Sequence, residues 1–329
     1  MQSTLLSFLG QPESYPTIFY IKNYNVDFIN NIPQKSKFIG KIKWKYSSND
    51  LSIFIDINEH QTNLYEFNNH YTTKNISLLK SQLQKAIRRK LTDLSINISY
   101  QMINLSFNDF LRRLAIITLE DVILNQHFPI LIWMMIAYST KKWKPNKSDI
   151  IWLLSYVKCL CNINLRENYS KIDYNTPICN FNNQNYNILI YSLELRKSYG
   201  GMKGDMKFIS WFIKEWIQRF KDNSKYISSL NTQITLLEDL PKIQFIDFIE
   251  GVDFHNYPLL ITEIQIQYTD YSQESIKNAI WHGSSKINYR PFINDYIEII
   301  DTYIIDIWNS IKKCKENLSK KYLIKNKII

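Results

Sequence analysis

Hydrophobic positions in this chain change their spacing once, near residue 76. Ahead of that point Ile42, Trp44 and Tyr46 alternate with Lys41, Lys43 and Lys45, and after Ser47-Ser48-Asn49-Asp50 the residues Leu51, Ile53, Ile55 and Ile57 alternate again. A period of two is that of a strand with one buried face. Pairing across the four-residue turn sets Tyr46 against Leu51, Trp44 against Ile53 and Ile42 against Ile55, and gives the predicted hairpin one continuous apolar face. The other face carries the lysines, with Asp56 opposite Lys41. Such a row protects an exposed edge or meets phosphate.

From residue 76 onward the period is helical. "SLLKSQLQKAIRRK" is amphipathic and ends on Arg88, Arg89 and Lys90, where cations complement the helix dipole. Ser106 and Asp109 form an S-x-x-D capping box ahead of "FLRRLAIITLEDVIL". Pro129 starts the apolar run "FPILIWMMIAY", and Ser148 or Asp149 suits the cap of "IIWLLSYVKCLC". Residues 167–186 lack periodicity and are rich in Asn, the pattern of a long loop. "NILIYSLELRKSYGG" is a helix ending at Gly200-Gly201, and "DMKFISWFIKEWIQRF" is the next. Further helices are predicted near 241–250, 257–268, 273–282 and 291–320.

The fold class that follows is mainly α, a multi-helix globular domain with a small N-terminal β-hairpin. Its predicted parts are a peptide over 1–9, a tether over 10–16, a small β-containing region over 17–75, a helical domain over 76–320 and a basic tail over 321–329. Gly10, Pro12 and Pro16 make the tether irregular.

Composition narrows the picture modestly. The chain has 329 residues, 45% of them hydrophobic, enough for one large core or two interlocked ones. Seven glycines and nine prolines beside abundant Asn, Ile, Lys and Tyr indicate an AT-rich genome, such as that of a large DNA virus or a parasite. The net charge of +10 therefore reflects codon bias as well as any polyanionic partner. Cys159, Cys161, Cys179 and Cys314 make no disulfide framework, and Cys159 and Cys161 sit in an apolar helical run as reduced, buried thiols. No run reaches the ~20 apolar residues of a membrane span, and no secretory leader is evident. The expectation is a protein that is neither secreted nor membrane-bound, working in a nucleus or a cytoplasmic viral replication compartment.

Gln2, Leu5, Phe8 and Leu9, in "MQSTLLSFLG", resemble a PCNA-interacting peptide. In that family a glutamine fills a polar pocket on the sliding clamp, and an aliphatic residue and two aromatics converge through a 3₁₀ turn into an apolar one. Spacing of three suits such a turn, because i and i+3 eclipse. Leu9 stands where a second aromatic is usual and fills less of the pocket. Mismatch-repair subunits, uracil-DNA glycosylases and DNA ligases of eukaryotic type carry similar N-terminal peptides ahead of a flexible tether. The resemblance covers residues 2–9 alone and implies a sliding-clamp partner.

Three further clusters carry candidate chemistry. Gly200, Gly201 and Gly204, with Arg196, Lys197, Lys203 and Lys207 around them, place backbone N–H groups and cations at a helix start, a pattern that suits phosphate of DNA or a nucleotide. There is no G-K-[ST] of a Walker loop and no Rossmann spacing. Asp253, His255, Glu263 and His282 are the candidate set for acid–base or metal-assisted nuclease or glycosylase-like work, although no fixed metal-ligand spacing supports them. Glu120 and Asp121 lie two turns beyond Arg112 and Arg113 on an apolar helix, which predicts an Arg113–Glu120 pairing, direct or through a neighbouring helix. No cofactor is indicated, and an enzymatic activity is left open. The expected function is a clamp-tethered accessory protein of DNA replication or repair that contacts the DNA backbone through 195–207, the hairpin lysines and the C-terminal tail. The alternatives are the metal-assisted enzyme and a viral structural or interaction protein.

Overall fold

The structure is a computed structural model that describes residues 16–44, 50–59, 63–68, 72–167, 186–244, 251–252, 257–282, 307 and 309–317. Two hairpins, where the alternation predicted one, build a four-stranded sheet from β1 (Ile18–Lys22), β2 (Asn25–Ile29), β3 (Ser36–Lys43) and β4 (Asp50–Asp56). Its order is β2-β1-β4-β3, with β1 and β4 parallel and the other pairs antiparallel. Asn23 and Tyr24 close β1–β2 with φ of 49° and 52°, the two left-handed residues of a tight primed turn.

The β3–β4 register corrects the predicted one. Ile42 faces Leu51 instead of Ile55, a shift of four residues, and Asp56 faces Ser36 instead of Lys41. From Gly40 to Lys43 the even shift leaves side chains on their own side of the sheet, whereas Phe38, ahead of a bulge, pairs with Phe54 on the opposite face from Ile42. Leu51, Ile53 and Ile55 accordingly remain in the core, together with Trp44. The bulge interrupts the β3–β4 register between Phe38 and Gly40.

Among the described residues the sheet is followed by α1 (Ile76–Arg88), α2 (Thr92–Ile117), α3 (Phe128–Ser139), α4 (Lys147–Asn162), α5 (Asn187–Tyr199), α6 (Lys203–Lys221), α7 (Tyr257–Gln267) and α8 (Gln273–His282). Residues 309–317 are also helical. The 241–250 helix is not formed over 241–244, and its remainder lies outside the described residues.

Side chains cap two of the helices, α1 and α4. Asn75 caps α1 by accepting from the Leu78 amide at 3.0 Å. Ser106 and Asp109, predicted to open a helix, mark a kink inside α2 instead: Ser106 has φ −159° and ψ 90°, and its hydroxyl donates to Asp109 at 2.7 Å. Asn146, rather than Ser148 or Asp149, is the cap of α4, and Asp149 returns a bond to its backbone in a reciprocal box.

The α3 helix is buried on all sides from Phe128 to Ala137. It contacts α2, α5 and strands β1, β2 and β3, and Trp133 donates its indole N–H to the Phe19 carbonyl at 3.3 Å. One core therefore runs from Phe19 and Ile53 in the sheet to Phe212 and Trp216 in α6. A smaller one gathers Val252, Ile264, Ile280 and Ile311. Among the described residues no helix is long and apolar enough to cross a membrane.

Gly40 lets β3 approach the end of α3. A methyl group there would stand 2.7 Å from Thr140 Cγ2. Gly40→Ala is expected to lower unfolding free energy by about 1–3 kcal/mol, the usual cost of overpacking. Thr140→Ser keeps the hydroxyl bond to the Ala137 carbonyl (2.7 Å) and removes the colliding methyl, so the double variant should regain most of the loss in urea denaturation. A single variant as stable as the wild type would show that this approach yields easily.

Candidate functional site

The last turn of α2 widens into a π-helical turn, Thr118–Val122, and ends where Ile123 becomes extended. Such a turn holds one residue more than an α-turn and re-aims the side chains on it. Glu120 and Asp121 are thereby buried, 7% and 1% exposed. Two adjacent carboxylates in a core require donors, and α1 supplies them. Gln84 Nε2 donates to Glu120 Oε2 at 2.9 Å and to Asp121 Oδ2 at 2.7 Å. Arg88 Nε donates to Asp121 Oδ1 at 2.6 Å. Arg113 donates to the carbonyl oxygen of the Gln84 side chain, so it reaches Glu120 through a neighbouring helix.

The turn is anchored from its far side as well. Arg166 donates to the Asp121 carbonyl at 3.0 Å and to that of Cys161 at 3.2 Å. The next residue, Glu167, gives its amide to the Val122 carbonyl at 2.7 Å. Its carboxylate takes a buried two-pronged bond from Arg219, at 2.7 and 2.8 Å.

The glycine-rich loop between α5 and α6 belongs to the same electrostatic neighbourhood. Gly200 and Gly201 have φ of 88° and 154°, conformations that favour glycine. Arg196 is 2% exposed and donates to the Gly200 carbonyl at 2.9 Å. Among the described residues no acceptor meets the buried Nε of Arg196 or of Arg113. Burial pushes Arg196 down to about 10, against the pull of Asp205. Burial raises Asp205, which Arg113, Arg196 and Arg112 counter. Glu120 is pushed up to about 7, first by burial and then by Asp121, while Arg113 and Arg88 oppose the shift. The cluster thus holds a buried carboxyl whose pKa is raised, flanked by guanidinium groups from three helices. Beside it, Lys85 is fully buried with Nζ donating to Ser81 Oγ at 2.8 Å, and burial drives its pKa well down.

The phosphate set predicted over 196–207 divides in two. Lys203, Gly204 and Lys207 are exposed at the start of α6, whereas Arg196 points into the cluster. The Lys197 side chain is 15% exposed and lies 3.9 Å from Glu194. Glu263 is exposed on α7, and His282 ends α8. Asp253, His255 and the His282 side chain lie outside the described residues, as do Gln2, Leu5, Phe8, Leu9, Lys45 and the tail. Among the described residues no three His, Cys, Asp or Glu side chains are grouped to hold a metal ion. Cys159, Cys161 and Cys314 are buried, the first two as free thiols.

Glu120 links this site to pH. Its folded-state pKa lies above its ordinary value of 4.5, so the folded protein retains the proton longer than the unfolded chain. The stabilising contribution is complete below about pH 4.5 and is lost as pH rises toward 7. Glu120→Gln, neutral at every pH, should remove up to about 3 kcal/mol of that fall at ~1.4 kcal/mol per pKa unit. Urea unfolding between pH 4.5 and 8 reads the difference, and parallel wild-type and variant profiles would sink it. Comparison with protein-family models, with curated proteins and with solved structures found no match to this chain.

Proposed function

We propose that the chain is an accessory factor of DNA replication or repair, held on a sliding clamp by Gln2, Leu5, Phe8 and Leu9 and gripping the sugar-phosphate backbone without regard to base sequence. The observation that carries this reading is the stride of three between Gln2, Leu5 and Phe8, the spacing that a short 3₁₀ turn would need to bring them to one side. The first strand begins at Ile18, so residues 10–16 intervene between peptide and sheet. Extended at ~3.3 Å per residue, that connection reaches about 23 Å.

Exposed cations support the nucleic-acid half. Lys41 and Lys43 line β3, and Lys203 and Lys207 stand at the start of α6. Contacts of this kind position a protein on nucleic acid and weaken as salt rises. In this reading the Glu120 cluster is framework, fixing α1, α2 and the α5–α6 loop against one another.

Titration calorimetry of the full chain against a PCNA-like clamp tests the clamp half. Phe8→Ala and Leu5→Ala should each cost about 2 kcal/mol, roughly a 30-fold loss, as anchors in a desolvated pocket do. Leu9→Phe should bind more tightly, since a second aromatic fills more of the apolar pocket. Equal affinity of the wild type and Phe8→Ala removes the clamp from the proposal.

A further inference from the structure

Alternation along the sheet gives it two unlike faces. Leu51, Ile53 and Ile55 point to the helices, so Ser52, Phe54 and Asp56 point away. Register places Tyr20 and Phe38 beside Phe54 on that outer face, and Lys41 beside Ser52. Phe38 is 40% exposed, although its ring meets Phe54 edge-on with centroids 5.5 Å apart. Lys142, just past the end of α3, holds its ammonium 5.5 Å from the Phe38 ring centroid.

Charge on this face is uneven. Asp56 accepts from the Tyr20 hydroxyl at 2.9 Å and lies 3.6 Å from the Lys22 ammonium, so the acid has a counter-charge of its own. The β3 side instead presents exposed Lys41 and Lys43 on the outermost strand. Two residues apart on one face, they stand about 7 Å from each other. Lysines alone would guard an edge. An exposed ring set among them costs solvation and offers a stacking surface, the pairing that single-strand binders use.

We propose that this outer face binds single-stranded nucleic acid, with a base stacked on Phe38 and phosphates on Lys41, Lys43 and Lys142. It rests on the nucleic-acid half of the function proposed above and is independent of the clamp peptide. A duplex keeps its base faces stacked and cannot use the ring, whereas an extended strand offers base and phosphate together.

Fluorescence anisotropy of the full chain with labelled oligothymidylate, oligouridylate and a duplex of equal length, at two salt concentrations, tests the proposal. The single strand should bind more tightly than the duplex. Phe38→Ala should weaken single-strand binding roughly 5- to 100-fold, the range for loss of one base stack, and leave duplex binding unchanged. Phe38→Leu, which retains packing on Phe54, should show the same selective loss if the ring itself is read. The Lys41→Ala/Lys43→Ala pair should weaken both and flatten the salt dependence by about two phosphates. Loss with either oligomer supports the site and names DNA or RNA as its ligand. A Phe38→Leu protein that binds single strands like the wild type, or a duplex bound as tightly as a single strand, overturns it. Clamp binding is read separately: its absence beside Phe38-dependent binding removes the clamp alone, whereas a wild type that binds no nucleic acid removes this site and the DNA half together.

Discussion

A helix with no polar side has to be surrounded, and α3 is such a helix. Every residue from Phe128 to Ala137 is buried, among them Trp133, Met134 and Met135. Full burial of a large apolar side chain is worth about 1.5–3 kcal/mol, so leaving any flank open would be expensive. The sheet covers one flank through β1, β2 and β3, and α2 and α5 cover others. This requirement ties the strands to the helical body, with Phe19, Trp133 and Phe212 sharing one core. It also explains Gly40: a strand drawn that near to the end of α3 has no space for a side chain.

Enclosure on this scale brings charged groups inside, and they are handled as a chain of partners. Arg219 holds Glu167, the Glu167 amide holds the π-turn, and Arg88 and Gln84 hold the two acids that the turn presents. Buried pairs of this sort contribute little net stability over apolar substitutes, but removing one partner strands a charge and costs about 3–5 kcal/mol. Their effect here is on arrangement: only one rotation of α2 about its axis satisfies α1.

Features with a local cause were legible in the sequence. The amphipathic α1, the Pro129 start, the break at Gly200-Gly201 and the helices over 257–267 and 273–282 follow from spacing and turn chemistry alone. The β1–β2 hairpin was hidden because its turn is Asn23-Tyr24, with no glycine or proline to announce it. Register was hidden because any even shift preserves the apolar face. The polar side of α1 suggested water, yet Ser81, Gln82, Gln84 and Lys85 are all buried. Gln84 meets acids some 35 residues further along, and Ser81 accepts from the distant Val252 amide at 3.0 Å and from Lys85. Pairing at such separations leaves no periodic mark. Proximity of the Arg112-Arg113 pair to the glycine loop was equally invisible, although helical spacing drew attention to the one and glycine clustering to the other.

The π-turn also fixes the count of residues around it. Taking one residue out of Thr118–Val122 would restore an ordinary helix and swing everything after it by about 100°. Asp121 would leave Arg88, and the exit of the chain toward Asn125 would be re-aimed. A gain or loss of one residue in this stretch is thus not a neutral change of length, as it is in a surface connection. Descendants of a common ancestor should keep the count between Arg113 and Asp121 even where the letters drift, which makes that interval a ruler for aligning distant kin.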